Sequence, residues 1–347
     1  MAEHRLSLFL KIIILFHLTV IAWFFNQIFN HYLFRYEVYN QEKKLTEIQV
    51  SYAKEVEAYF DGHLKFVNSL ANSPIFDGYD SQKFMPKLKL LGEVEKRFIR
   101  IFVVNADGTY YTADNPGNTF LGGLHSLDNS DPKSPLKNTK KRHYWQKLVR
   151  DNVDNKYMTY VTAPLIAYVS EYRLVLVLAT IIRDGKVKGL VGGGVEWNEF
   201  DKFIKRLNES YKLDDSYWPS VIHRSGAFWY HFDNRKKLVP ISDQDGNQIY
   251  DQFGNVLVVS DYIQYDKNDQ FAQIGRKLVK GERGVSEFRY EGNHLICSYG
   301  PIDKIEDYSM LMAKVVSKPN GHYFFILLII MNFFIVGHIY RFLRKYI

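Results

Sequence analysis

Two long apolar segments, one near each end of the chain, constrain this sequence more than any other feature. Residues 12–29 read IIILFHLTVIAWFFNQIF, and residues 323–340 read YFFILLIIMNFFIVGHIY. Neither segment contains Asp, Glu, Lys or Arg, and each approaches the ~20 residues with which a helix crosses ~30 Å of hydrocarbon. We therefore predict transmembrane helices over 12–30 and 323–341. A buried core helix is the alternative for each, although such a helix usually carries a polar stripe.

Charged residues beside the two segments predict their orientation. Arg5 and Lys11 precede the first segment, and Arg341 follows the second. Because cytoplasmic flanks are rich in Lys and Arg, we expect cytoplasmic termini over 1–11 and 342–347 and an extracytoplasmic middle. This topology is that of a two-pass protein of a bacterial inner membrane, with its bulk in the periplasm or outside the cell, in contact with the lipid bilayer at both ends.

The first segment has a second interpretation. Val20 and Ala22 have the small-residue spacing of a signal-peptide cleavage site, so a cleaved leader is possible. However, the apolar run continues through Trp23, Phe24 and Phe25, where a signal peptide normally becomes polar. The pattern therefore favours an uncleaved anchor.

Composition and missing motifs exclude several classes of function. The 347 residues suffice for two domains of ~150 residues each. A single cysteine, Cys297, excludes an intrachain disulfide and any multi-thiolate metal site. The net charge of +7 is spread among acidic residues, which does not predict nucleic-acid binding. The chain also lacks G-x-S-x-G, H-E-x-x-H, P-loop and C-x-x-C motifs, so we expect no enzyme, no metal and no cofactor.

A stretch without Gly or Pro, residues 30–61, follows the first apolar segment. Apolar side chains recur there at spacings of three, four and seven, as at Val38, Leu45 and Tyr52. This pattern predicts an amphipathic stalk helix over 31–72 that continues the membrane helix outward. The stripe packs either on the chain's own domain or on a second copy, and we expect a homodimer through the stalk helix.

Strand and turn patterns occur twice along the middle of the chain. Residues 99–115, IRIFVVNADGTYYTADN, form two apolar strands around an Asp-Gly turn, and residues 221–230, VIHRSGAFWY, repeat the pattern around a Ser-Gly turn. The spacing of roughly 120 residues indicates two related domains in tandem. We predict an α+β fold with two antiparallel sheet modules, a membrane-distal one over 73–210 and a membrane-proximal one over 211–320.

A polar insert over 241–269 separates strands of the second module. Its carboxylates Asp243, Asp245 and Asp251 suggest a calcium loop, but Gly246 stands at the fourth position rather than the sixth. A solvated loop or hairpin is the alternative, and the spacing favours it.

Three smaller patterns also have a functional and a structural interpretation. The glycines 192–194 either cradle an anion with backbone amides or let a strand pack closely. His223, His231 and His294 either meet as metal ligands or lie apart. Cys297 is either a redox sensor or a small core residue.

Two anchors, a stalk helix and tandem sheets together resemble the double Cache, or dCache, sensor domain of bacterial chemoreceptors, sensor kinases and sensor cyclases. The resemblance extends over 53–318 and is most specific in RHYWQKLVR (142–150), TYVTAPLI (159–166) and IIRDGKVKGLVGGGVEW (181–197). It implies two tandem PAS-like modules on a long stalk helix, with a ligand pocket in the membrane-distal one.

The resemblance also implies which residues bind a ligand. In the family an Arg-x-aromatic-aromatic element opens the pocket, a strand with an aromatic-x-x-x-Pro pattern follows, and a Gly-containing strand closes it. A guanidinium matches a carboxylate bidentately, and aromatic walls exclude water. The implied ligand-binding residues are Arg142, Tyr144, Trp145, Tyr160, Tyr111, Lys147 and Gly194.

Departures from the family pattern bear on the ligand. Members that bind amino acids carry one Asp two residues after the aromatic pair and another late in the closing strand. Lys147 and Gly194 stand at those places here. Since a buried ammonium without a carboxylate partner is unfavourable, we expect a carboxylate or another anion rather than an amino acid.

The sequence therefore predicts a membrane-anchored extracytoplasmic sensor of a small anionic or carboxylate-bearing solute. Only six residues, FLRKYI, follow Arg341, so we expect the signal to pass through the membrane helices to a separate membrane signalling partner. The alternative is a Cache scaffold without a ligand that serves as an assembly or docking subunit of a membrane complex.

Overall fold

The computed structural model describes residues 2–114, 140, 142–166, 172–232 and 262–317, with shorter stretches between 239 and 259 and between 326 and 341. The chain divides into two compact units, Met1–Lys44 with Val316–Ile347 and Leu45–Val315. None of the helices within these described residues combines the length and the apolarity that crossing a membrane requires. The second predicted membrane segment, 323–341, lies mostly outside the described residues.

The longest element is helix α1, Ala2–Ala71, which includes the first apolar segment and confirms the predicted long N-terminal helix. In the second unit its buried side chains recur every three or four residues, which places them on one face. They are Leu45, Gln49, Tyr52, Val56, Phe60, His63, Val67 and Leu70. The helix therefore packs this face against the rest of that unit.

The C-terminal end of α1 is held by an arginine from the first sheet. Pro74, which cannot continue a helix, opens a short 3-10 helix at Pro74–Tyr79. The Arg183 guanidinium donates hydrogen bonds to the carbonyl oxygens of Ala71 at 3.2 Å and Ser73 at 2.7 Å. A cation at a helix C-terminus also interacts favourably with the helix dipole. The first sheet is thereby attached to the end of α1.

The sequence pattern also predicts helices over 84–95 and 198–208, and the structure has a helix close to each. They are α2, Ser81–Val94, and α4, Trp197–Ser210. The Asp80 side chain caps α2 by accepting a hydrogen bond from the backbone N–H of Gln82 at 3.0 Å. Helix α4 lies against α1, where Tyr52 Oη donates to Asn208 Oδ1 at 2.8 Å.

The first sheet is antiparallel and has six strands, in the order β2-β1-β6-β5-β3, with β4 also paired to β5. The strands are β1 Arg100–Asn105, β2 Tyr110–Asp114, β3 Thr159–Val161, β4 Leu165–Ile166, β5 Arg173–Arg183 and β6 Lys186–Glu196. The sequence predicts about five strands because 157–165 reads as one. The structure divides that run around Pro164, which has no N–H to donate to a ladder.

The second sheet repeats the topology of the first. Its strands are β7 Tyr217–His223, β8 Phe228–His231, β11 Gly284–Tyr290, β12 Asn293–Pro301 and β13 Tyr308–Val315. Their order is β11-β12-β13-β7-β8, so in both sheets the last strand lies beside the first strand of the opening hairpin. The predicted pair of antiparallel sheets is confirmed. A separate small ladder pairs β9 Val239–Pro240 with β10 Val258–Val259.

Helix α5, Asp269–Leu278, has no counterpart among the predicted elements. Asn268 caps it by accepting a hydrogen bond from the Phe271 N–H at 3.0 Å. Its buried Phe271, Ile274 and Leu278 lie against the second sheet. Much of the insert over 241–269 lies outside the described residues, including Asp251 and Gly246 of the calcium-loop hypothesis.

Candidate functional site

One face of the first sheet, called the site face below, carries a cluster of aromatic and apolar side chains. Successive residues of a strand point to opposite faces, so alternate residues of β1, β5 and β6 contribute to it. Its buried members are Phe102, Val104, Tyr110, Trp145, Leu148, Tyr160, Leu178 and Leu190, with Tyr144, Val149, Met158 and Leu176 packed against them. Three of the predicted ligand-binding residues therefore belong to one cluster.

The segment that covers the site face is an irregular helix. It begins as α3, His143–Trp145, and continues as a π-helical turn over Gln146–Arg150. The Asp151 N–H donates to the carbonyl oxygen of Gln146 at 2.8 Å, which closes the wide turn. Turns of this kind are rare in proteins, but those that occur are often at functional sites. The side chains of this turn are therefore candidates for a functional role.

Trp145 anchors this helix to the sheet. Its ring lies in the buried cluster, and its Nε1 donates a hydrogen bond to the carbonyl oxygen of Asn105 at 3.2 Å. The Asn105 side chain in turn accepts a hydrogen bond from Tyr79 Oη at 2.9 Å. A buried indole with its N–H satisfied stabilises packing. The contacts thus give Trp145 a structural part in the site.

Arg142 and Tyr144 lie at the start of the same segment. Arg142 has an extended backbone and is half-buried, and its carbonyl oxygen accepts a hydrogen bond from the Gln146 N–H at 3.0 Å. Burial raises the pKa of the Tyr144 phenol, and the positive charge of Arg142 acts against that rise. A guanidinium and a phenol both carry hydrogen-bond donors of the kind that bind a carboxylate.

Lys147 is not an isolated positive charge. Its ammonium lies 4.0 Å from the centroid of the Tyr160 ring, a cation–π arrangement. It also lies 3.1 Å from Glu306 Oε2 and 4.0 Å from Asp307 Oδ2, both carried by the connection between β12 and β13 of the second sheet. The cationic site expected from the sequence is therefore partly neutralised by carboxylates from the other sheet.

Tyr160 supplies a phenol beside this ion pair. Burial raises its pKa to about 12, and the negative charges of Asp307 and Glu306 add to the rise. The hydroxyl therefore stays protonated at neutral pH and can donate a hydrogen bond to an anion.

Tyr111 lies on the other face of the first sheet. It pairs with Val103 in the ladder, and its ring meets Phe84 of α2 at a centroid distance of 5.3 Å. The adjacent Tyr110 points to the site face and stacks on Phe102 at 5.2 Å. Since one residue along a strand reverses the direction of the side chain, Tyr110 takes the place that the sequence analysis gives to Tyr111.

The glycines of β6 are surrounded by side chains. A Cβ at Gly194 would meet Ile99 Cγ1 and Leu174 Cδ2, each at 3.3 Å, and a Cβ at Gly193 would overlap the Phe98 ring. Close packing therefore accounts for these glycines, which was the structural interpretation of residues 192–194. At Gly194, where amino-acid-binding family members carry a carboxylate, apolar side chains stand instead.

For both the histidines and the cysteine the structure favours the structural interpretation. His223 Nδ1 lies 2.9 Å from Ser225 Oγ, and His294 Nε2 lies 3.2 Å from Glu287 Oε2. In the part of the chain that the structure describes, no three His, Cys, Asp or Glu side chains are grouped to hold a metal ion. Cys297 is fully buried, and burial raises its thiol pKa, which disfavours a reactive thiolate.

Sequence reasoning missed Tyr110, Glu306 and Asp307. Tyr110 could have been found from the sequence, because the Asp-Gly turn sets the register of the hairpin and with it the direction of each side chain. Glu306 and Asp307 had none, since about 160 residues separate them from Lys147 and only the packing of two sheets brings the charges together.

Known structures resemble this chain, although no family model and no curated protein matches it. The extracellular domain of rpHK1S-Z16, described as a histidine kinase, is 15% identical, covers 80% of this chain and 95% of its own, and gives a TM-score of 0.53. The ligand-binding domain of the Pseudomonas fluorescens chemoreceptor CtaA, in complex with L-serine, is 12% identical, covers 80% and 98%, and gives 0.52. That of the Pseudomonas aeruginosa chemoreceptor PctB, in complex with L-arginine, is 17% identical, covers 80% and 95%, and gives 0.51.

These similarities confirm the predicted dCache-type fold. The similar structures are an extracellular domain of a histidine kinase and ligand-binding domains of chemoreceptors, in line with the expectation of a sensor rather than an enzyme. At this level of identity the similarity shows the fold of this chain, and it does not identify its ligand or its site residues.

Proposed function

We propose that this protein is a membrane-anchored extracytoplasmic sensor that binds a small carboxylate-bearing solute at the site face of the first sheet. The observation that supports it best is the aromatic cluster that contains Tyr160 and is packed by Tyr144, covered by the helical segment that begins after Arg142. This arrangement combines a planar cation, phenol donors and apolar walls, which is how small-molecule sites gain both affinity and orientation.

The class of solute is wider than the sequence analysis suggests. The sequence pattern favours a simple anion over an amino acid, whereas the chemoreceptor domains named above were solved with L-serine and L-arginine. Those ligands are evidence against a preference for a simple anion. The apolar side chains around Gly194 are evidence for it, because they leave no carboxylate there to pair with an ammonium group. We therefore propose a carboxylate with or without an ammonium group, bound through the carboxylate by Arg142.

Membrane attachment and signal transfer complete the proposal. The two apolar segments anchor the chain in a bacterial inner membrane, and solute binding shifts the first sheet against α1. Such a shift is limited by the difference in solute affinity between the two conformations. The displacement passes along α1 to a separate membrane signalling partner.

A homodimer through α1 fits the exposed tyrosines of its first unit. Tyr32, Tyr36 and Tyr39 are each more than half exposed, and their spacing of four and three is that of a coiled-coil seam. A second copy of α1 would cover this stripe. Disulfide crosslinking of Tyr36→Cys in membranes tests the seam, with Phe34→Cys, on the opposite side of the helix, as the control.

Related solutes separate the chemical groups that matter. L-serine has a carboxylate and an ammonium, 3-hydroxypropanoate has only the carboxylate, and ethanolamine has only the ammonium. We expect L-serine or 3-hydroxypropanoate to raise the melting temperature of the purified full chain by several degrees, because binding to the native state stabilises it. Ethanolamine should have no effect.

The variant Arg142→Ala should abolish that gain, because it removes the guanidinium that pairs with the carboxylate. Arg150→Ala is the matched control, since Arg150 lies in the same segment, is exposed and pairs with Asp151. Equal gains in the two variants would refute a role for Arg142.

The scaffold alternative has one observation in its favour. Lys147 already contacts carboxylates from the second sheet, as in a site closed by the protein itself. If no carboxylate stabilises the chain while a membrane protein co-purifies with it, the assembly function replaces the sensor.

A further inference from the structure

Residues 303–307, which lie in the connection between β12 and β13, contact three separate parts of the second unit. Glu306 and Asp307 lie beside Lys147 of the site segment. Asp307 also accepts a hydrogen bond from the Arg224 N–H at 2.6 Å through its carbonyl oxygen. Lys304 pairs with Glu57 of α1 at 2.7 Å. The 303–307 turn thus joins the proposed binding site, the second sheet and the long helix.

The residue after this turn strengthens the same junction. Tyr308 Oη donates a hydrogen bond to the carbonyl oxygen of Thr162, at the end of β3, at 2.6 Å. Its ring also stacks on Phe60 of α1 at a centroid distance of 6.1 Å. Because Tyr308 is buried, it fixes the position of the turn relative to both the first sheet and α1.

Asp307 has a backbone conformation that depends on its surroundings. Its φ of 69° is left-handed, a region that few residues other than glycine adopt, although Asp and Asn tolerate it better than most. Such conformations persist where neighbouring contacts determine them. Here the Arg224 guanidinium, at 3.6 Å, and the Lys147 ammonium both attract the Asp307 carboxylate. A change at Lys147 therefore alters one of the forces that hold this turn.

We propose that Lys147 alternates between two anionic partners, and that this exchange links the site to α1. In the empty site Lys147 pairs with Glu306 and Asp307. In the occupied site the carboxylate of the solute takes Lys147, and the 303–307 turn relaxes, which changes the contact of Lys304 with Glu57. This inference rests on the proposed function and adds to it the regulation of the same site.

The energetics permit such an exchange. The Glu306 side chain is 76% exposed and that of Lys147 is 27% exposed, and ion pairs with this much solvent contact are weak. A solute carboxylate that also binds Arg142 can therefore displace them. The exchange costs the solute some affinity, because it must compete with the carboxylates of the protein.

The first test needs no solute and uses hydrogen–deuterium exchange of the full chain. Lys147→Met should accelerate amide exchange in residues 303–308, since the turn loses the ammonium that pairs with Glu306 and Asp307. Lys156→Met is the matched control, because Lys156 lies between the site segment and β3 and pairs only locally with Asp154 at 2.7 Å among the contacts described. Unchanged exchange over 303–308 in Lys147→Met would overturn the inference.

The second test measures affinity for 3-hydroxypropanoate and for L-serine by calorimetry. Glu306→Gln with Asp307→Asn removes the competing charges, and Asn keeps the tolerance for left-handed backbone. We expect the dissociation constant to fall about two- to fivefold, the size of a partly exposed ion pair. Asp303→Asn is the control in the same turn, and it should leave the dissociation constant unchanged.

The outcomes separate this inference from the proposed function. If the wild type binds either solute and the neutralised turn binds it no more tightly, the exchange at Lys147 is wrong while the sensor function stands. If the wild type binds neither of these probes nor any other carboxylate, both are wrong. Each single substitution, Glu306→Gln and Asp307→Asn, should give part of the gain, which keeps the test valid should the double variant fold poorly.

Discussion

The two sheets share one strand order but differ in the segment that covers an equivalent face. In each, the connection between the opening hairpin and the third strand provides the cover. Over the second sheet it forms α5, whose Phe271, Ile274 and Leu278 are buried in an apolar core. Over the first sheet it forms the irregular helix that begins at Arg142, in which Tyr144 and Lys147 stay partly exposed.

This difference shows how one topology serves two purposes. A regular amphipathic helix with its apolar stripe fully buried stabilises a domain but leaves no polar group for a solute. The irregular helix over the first sheet packs less completely and leaves Tyr144 and Lys147 partly exposed. We therefore propose that the cover of the second sheet serves stability and that the cover of the first serves solute binding.

Removing an apolar side chain from α5 should have the largest effect on stability. Phe271→Ala should lower the free energy of unfolding by about 3 to 5 kcal/mol, the range for deleting a buried phenylalanine. Tyr265→Ala, at a residue that is 79% exposed, should change it by no more than about 0.5 kcal/mol. Urea unfolding of both variants checks this. Similar losses at the two positions would contradict a structural role specific to α5.

The pH dependence of stability should reveal a buried histidine in the hairpin of the second sheet. Burial lowers the pKa of His223 from 6.5 to about 4, and the nearby charges of His143 and Lys147 lower it while that of Asp307 raises it. The Ser225 N–H donates to Nδ1 at 3.0 Å, which also opposes protonation. Because the unfolded chain takes up this proton first, stability should decline as pH falls from about 6.5 to about 4.

The size of this decline follows from the lowered pKa of His223, and it is about 3 kcal/mol at its full extent. His63, whose pKa is also lowered by burial, contributes with the same sign. The variant His223→Asn retains an acceptor for the Ser225 N–H and should flatten the profile. A profile that stays equally steep in this variant would assign the pH dependence to other groups.

Two glycines provide the smallest contrast. A Cβ at Gly275 of α5 would lie 2.7 Å from the carbonyl carbon of Ile263, so Gly275→Ala should destabilise the chain by about 1 to 3 kcal/mol through overpacking. Gly62 of α1 has open space where a Cβ would stand, and Gly62→Ala should stabilise it by about 0.5 to 1 kcal/mol. Thermal unfolding should give opposite signs, and equal signs would refute the close approach at α5.

Local patterns were enough to predict much of this fold. Helix α1 and the opening hairpins of the two sheets follow from side-chain periodicity and turn residues. Helix α5 was missed although Phe271, Ile274 and Leu278 have helical spacing, because the residues between the polar insert and β11 were assigned no element. Pro164 was noticed as part of a motif but not as the residue that divides a strand.

The candidate site was only partly predictable, for a physical reason. Arg142, Tyr144 and Tyr160 lie in two short motifs of the sequence, and the structure brings Tyr144 and Tyr160 into one cluster on the site face. The partners of Lys147 come from a turn about 160 residues away, and no spacing rule predicts how two sheets pack. The direction of Tyr111 depends on a register of one residue, which a pattern of adjacent tyrosines leaves open.

The most direct test of the sensor assignment is a crystal structure of the full chain with 3-hydroxypropanoate or L-serine bound. We predict density for the solute on the site face, with its carboxylate within hydrogen-bond distance of the Arg142 guanidinium and near Tyr144. Density for the solute under α5 at the second sheet, or a site face empty at saturating solute, would contradict the assignment.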